Sequence, residues 1–161
     1  MTAYSADQTT GRSAGRTNVQ KAAVAVGAVF LLVGVLGFIP GITSNYDQLG
    51  FASAGSDALL LGLFQVSILH NIVHLLFGVL GLVMARSASG ARSYLIFGGI
   101  IYLVLFLYGL LVGANSAANF VPVNSADDIL HLLLGIGMIA LGLLLTRRRG
   151  DVTARAGDAG L

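Results

Sequence analysis

Cysteine, tryptophan and glutamate are absent from this chain of 161 residues. Without cysteine there can be no disulfide, thiolate metal site, thiol nucleophile or covalent haem attachment. Without glutamate, every acidic residue is aspartate: Asp7, Asp47, Asp57, Asp127, Asp128, Asp151 and Asp158. HNIVH (His70–His74) has the histidine spacing of a zinc-protease motif but lacks its acid, which argues against that chemistry. Charge of either sign is scarce, at 10% of residues against about 25% for soluble domains. Hydrophobic residues make up 56%, and the mean hydropathy is +0.86. Composition alone therefore points to a membrane protein.

Four long apolar runs carry that composition, with helices expected at about 22–40, 58–85, 93–113 and 128–146. A helix needs about 20 apolar residues, at 1.5 Å each, to cross the hydrocarbon. The second run is too long for a perpendicular span, so it either tilts or leaves Ala58–Gln65 partly outside the hydrocarbon. Residues 1–20 and 147–161 read as flexible polar tails on a membrane domain covering 21–146. The pI is near 9.3. All nine Lys and Arg lie in the two tails, at Lys21 beside the first run, or in the turn at Arg86–Arg92, whereas loops 41–57 and 114–128 carry only aspartate. Bases that flank apolar runs report topology rather than a nucleic-acid partner. The positive-inside rule puts both termini in the cytoplasm and the two acidic loops outside. The expected fold is all-α: a four-helix transmembrane bundle of two hairpins.

A weak repeat relates the hairpins. VHLLFG (Val73–Gly78) aligns with LHLLLG (Leu130–Gly135), which matches His74 to His131 and sets His70 and Asn71 against Asp127 and Asp128. Gly27, Phe30 and Gly37 share their spacing with Gly99, Tyr102 and Gly109. Two hairpins in the same orientation would be related by an axis along the membrane normal.

His70, His74 and His131 are the chain's only histidines, and all three lie within apolar runs. Ionisable groups inside a membrane are costly and mark functional candidates. Helical spacing puts Ser67, His70, Asn71 and His74 on one ridge with Gly78 and Gly81, and Asp128, His131, Gly135, Met138 and Gly142 on another. Measured up the helix from the arginines, His74 lies twelve residues from Arg86, about 18 Å, while His70 and His131 each lie sixteen residues up, about 24 Å. The cluster therefore belongs near the outer face, where Tyr108 could add a hydroxyl. The ruler pairs His131 with His70; the repeat pairs it with His74.

Several roles compete. Neutral imidazoles and Asn71 can fix helix register by interhelical hydrogen bonds, which suits a structural or partner-binding protein. Alternatively His70, His74 and His131, with Asp127 or Asp128, form a site for a divalent metal, or two of the histidines ligate haem b. A proton or small-solute pathway is a further alternative. The aspartates also suit capping: Ser125 with Asp128 resembles a capping box, and Ser56 or Asp57 suits the start of the second helix. No phosphate loop or nucleophile–base pair is recognisable, and the residue beside His70 is Asn71 rather than an acid. The reading leans away from an enzyme and assigns no catalytic residue. Partners are the bilayer, a second copy of the chain or another membrane protein, and no nucleic acid.

VFLLVGVLGFIPGIT, HNIVHLLFGVLGL and PVNSADDILHLLLG together resemble a bacterial family of small four-helix membrane proteins known only as a domain of unknown function. The resemblance covers residues 20–146. It implies a four-helix inner-membrane protein with polar positions at His70, Asn71, His74, Asp128 and His131, and it brings no reaction or ligand.

Overall fold

The computed structural model describes residues 15–52, 55–112 and 118–146. Four helices follow in order: α1 (Asn18–Leu36), α2 (Ile68–Met84), α3 (Ala88–Val112) and α4 (Ser125–Leu144). Between α1 and α2 lie three two-residue strands, β1 (Thr43–Ser44), β2 (Leu59–Leu60) and β3 (Phe64–Gln65), paired antiparallel in that order. Three helices (α1, α3 and α4) are long and apolar enough to cross a membrane, and α2 is a shorter apolar helix. Large apolar side chains point outward along them, as at Leu76, Phe97 and Leu111. That is the surface of a membrane protein, because a soluble monomer would not expose such continuous apolar area.

Two expectations change in detail. The expected helix over 58–85 begins only at Ile68, since Leu59–Leu60 and Phe64–Gln65 are strands. Leu61 and Gly62, both with positive φ, turn the chain between them. A small sheet is thus added to the all-α fold. Second, α1, α3 and α4 begin earlier than expected, at Asn18, Ala88 and Ser125, and α1 ends at Leu36 rather than near residue 40. Asn18–Gln20, read as tail, form the first turn of α1. The remaining tail segments, 1–14 and 147–161, lie outside the described residues.

The segment between α1 and α2 folds as a cap over one end of the helices. Ala58, Leu60 and Val66 are buried there and pack against Val33 and Leu36 of α1. The cap also satisfies the start of α2. Ser67 Oγ accepts from His70 N at 3.1 Å, while Ile68 N and Leu69 N donate to the carbonyls of Gly50 and Phe51. A helix start near hydrocarbon needs such partners, because lipid offers none. At the opposite end, Gln20 Nε2 donates to the carbonyls of Ala85 and Arg86 and ties α1 to the α2–α3 turn.

Each helical hairpin closes through glycine. A Cβ on Gly27 would lie 3.0 Å from the Gly78 carbonyl oxygen, and one on Gly78 would lie 2.7 Å from that of Gly27. The second hairpin repeats the contact: a Cβ on Gly99 would lie 2.7 Å from the Gly135 oxygen, and one on Gly135 would lie 3.0 Å from that of Gly99. The likeness continues toward the cap, where Gly37 faces the Asn71 side chain and Gly109 faces that of Asp128, neither with room for a methyl group. Helices in lipid associate by packing, so small residues at the crossing set how closely the backbones approach.

Gly78→Ala and Gly99→Ala should each destabilise the protein by about 1–3 kcal/mol, the usual cost of overpacking. Gly137 has nothing within 4 Å of its Cβ position, so Gly137→Ala should be neutral or stabilise by up to about 1 kcal/mol. Unfolding curves in detergent check this, and equal effects at all three positions would contradict the close crossing.

Candidate functional site

Five rings form a closed circuit near the cap, and all four helices contribute. His70 and His74 stack on each other one turn apart on α2, with centroids 4.6 Å apart. His74 meets Phe30 of α1 at 5.6 Å. Phe30 stacks on Tyr102 of α3 at 5.3 Å and 16°. Tyr102 meets His131 of α4 at 5.3 Å. His131 returns to His70 at 6.4 Å. The two repeats are visible again, since Phe30–His74 and Tyr102–His131 are like pairs at 54° and 59°. Phe77 adjoins the circuit, nearly perpendicular to both Phe30 and Tyr102.

His70 and His131 are 6% and 4% exposed, and the Nδ1 atom of each is buried without a hydrogen-bond partner. The backbone of Pro122 and Gln65 lies within hydrogen-bonding reach of the His70 ring, from the segment before α4 and from the cap. His74 Nδ1 lies 3.0 Å from the His70 carbonyl. A carbonyl only accepts, so His74 carries its proton on Nδ1 and keeps a lone pair on Nε2. Among the described residues, no hydrogen bond joins a histidine of one helix to another helix.

Two cavities flank the imidazoles, and all three histidines line both. One of about 80 Å³ lies under the cap, with Leu60, Phe64 and Asp127 in its wall. The other, of about 200 Å³, lies between α2 and α3 and is bounded by Val73, Tyr102 and Phe120. Among the described residues, no lysine or arginine lines either cavity. An apolar hollow with a few convergent polar groups is the usual form of a small-molecule site.

The other candidate residues have separate tasks. Asp127 Oδ2 accepts from Asn124 N at 2.9 Å and from Gln65 N at 3.0 Å, so it caps α4 and fastens the cap to it. The capping box is therefore Asn124 with Asp127, one residue before the expected Ser125 with Asp128. Asn124 Nδ2 adds a bond to the Leu63 carbonyl at 2.8 Å. Likewise Ser67, not Ser56 or Asp57, caps α2; Ser56 instead donates to the Val66 carbonyl at 2.6 Å within the cap. Asn71 is buried beside Gly37 with Nδ2 unpartnered, and Asp128 lies beside Gly109 with Oδ1 unpartnered. Tyr108 is not at the histidines: its hydroxyl donates to the Ala118 carbonyl at 2.6 Å and accepts from Phe120 N, which fixes the approach to α4.

Tyr102 takes the place expected of Tyr108, and Phe30 faces it. Their shared spacing in the repeat was the available signal. Gln65 and Asn124 carried none, because their bonds cross from strand to helix. Both relations expected for His131 have a counterpart: the ring recorded beside it is His70, as their equal height implies, and its place in the repeat matches that of His74.

Residues 20–144 match the family described as Domain of unknown function (DUF4383), and the chain belongs to that family. No curated protein and no solved structure matches it.

Proposed function

We propose that this member of a family without an assigned role is a small bacterial inner-membrane protein whose three-histidine centre binds a small ligand near the outer face. The observation that carries the reading is the pair of buried imidazoles, His70 and His131, that approach each other beside two cavities without an interhelical hydrogen bond. If their task were to fix helix register, they would be expected to bond across helices, since a buried polar group left unpaired costs about 1–3 kcal/mol. Glycine packing accounts for the register without them.

The other readings receive less support. The His74 bond to a backbone carbonyl resembles the outer bond of many metal-bound histidines. Yet among the described residues no group of three or more His or Asp side chains is arranged to hold a metal ion. Haem b is disfavoured by size: cavities of about 80 and 200 Å³ fall below the roughly 300–1,000 Å³ of drug-sized sites. The Phe30–Tyr102 stack also fills the space between His74 and His131. A proton path needs continuous hydrogen-bonding groups. Below His74 the interior offers Phe77, Gly78 and Gly81 before Tyr94, whose hydroxyl is unpartnered.

Charge placement supports cytoplasmic termini, with the cap outside. The chain lacks cysteine, so single cysteines report orientation cleanly. In intact cells an impermeant maleimide should label Asp57→Cys, and should reach Ser87→Cys only after permeabilisation; the reverse pattern would invert the topology.

Native mass spectrometry of the gently purified protein tests the binding centre. The wild type should carry a non-protein mass that is lost in the His70→Ala/His131→Ala double variant. Bare chain mass in both, with only a lowered unfolding midpoint in the variant, would return the histidines to a structural or partner-binding role. The same spectrum reads whether the chain self-associates.

A further inference from the structure

The larger cavity has a side facing the bilayer. Val73 and Phe120 border it and are 47% and 57% exposed on the bundle perimeter. From Val73, the exposed residues Leu76, Leu80 and Val83 continue down α2 at helical spacing. An apolar track thus runs along the lipid-facing side of α2 to a hollow that ends on three imidazoles and Tyr102. A ligand built to match would have a compact polar head and a long apolar tail.

The lining restricts the head further. Among the described residues, no lysine or arginine lines the cavity to hold an anion and no carboxylate lines it to hold a cation. The head is therefore uncharged. Tyr102, Phe120 and the imidazoles present flat faces, which favour a planar ring. A volume of about 200 Å³ suits one ring system and excludes a whole lipid. Hydrogen-bonding capacity is mixed. His74 keeps an acceptor at Nε2. His131 Nδ1 has no partner of either kind, so its neutral ring can carry the proton on either nitrogen and give or accept one hydrogen bond. A ring with oxygen at its edge, taking a hydrogen bond as a carbonyl or giving one as a hydroxyl, satisfies both.

Building on the binding-centre reading, we propose that the cavity between α2 and α3 takes the ring of a membrane quinone or quinol, entering sideways from the bilayer between Val73 and Phe120 with its tail along α2.

The test uses the full chain in liposomes with a decyl-tailed 1,4-benzoquinone bearing a ring azide. After irradiation, label should map to the segments holding Val73–His74 and Phe120–Val121. Excess unmodified decylbenzoquinone should reduce it at least tenfold. Val73→Phe narrows the mouth at an exposed position and should reduce label by a similar factor without changing the unfolding midpoint. Label confined to lipid-facing residues such as Leu76 and Phe97, or label indifferent to competitor and to Val73→Phe, would overturn the proposal. If a histidine-dependent mass persists alongside that negative result, the binding centre stands and the quinone assignment alone fails. If both are negative, both fail.

Discussion

Close approach of helix backbones at glycine is the contact on which the rest of this structure depends. Lipid tails are as apolar as leucine side chains, so burial from water does not drive these helices together. Packing does. At Gly27–Gly78 and Gly99–Gly135 the backbones come near enough that a Cβ would strike the opposite carbonyl oxygen. These crossings lie one turn below His74 and His131, and they fix how far apart α1 and α2, and α3 and α4, can stand at the level of the rings. Phe30 can then reach His74 and Tyr102 can reach His131. Phe30 and Tyr102 stack on each other where the hairpins meet.

The hairpins share a scaffold but not a chemistry. Where the first repeat has His70 and Asn71, the second has Asp127 and Asp128. Asp127 is occupied by backbone N–H groups of the cap and of α4, whereas His70 turns into the space between the halves and meets His131. One end of a nearly symmetric bundle thereby acquires an asymmetric centre, with two imidazoles from α2 and one from α4. The cap closes this end. By satisfying the first N–H groups of α2 it allows that helix to start about two residues above His70, deep enough for the imidazole to be buried.

Much of this was legible in the sequence. Four apolar runs separated by charged or polar stretches define the helices, because hydrocarbon tolerates little else. The glycine and aromatic spacings of the repeat correspond to real contacts. The start of α2 was hidden, since ALLLGLFQV has the hydropathy of a helix; Leu61 and Gly62 at positive φ turn it into a hairpin. The Asp127–Gln65 bond was equally hidden, because it joins residues whose proximity exists only after the cap folds. Tyr108 was misjudged by a similar route: its height on α3 was readable, but its direction depends on the loop before α4, whose carbonyl at Ala118 claims the hydroxyl.

The proposed binding role requires imidazoles that are free to meet a ligand rather than spent on holding helices together. Nitrogen NMR of histidine-labelled protein in bilayers, stripped of bound small molecules, measures this most directly. The expected spectrum has His74 protonated on Nδ1 and hydrogen-bonded there, and Nδ1 of His131 without a hydrogen bond. A spectrum in which both nitrogens of every ring are hydrogen-bonded would contradict it.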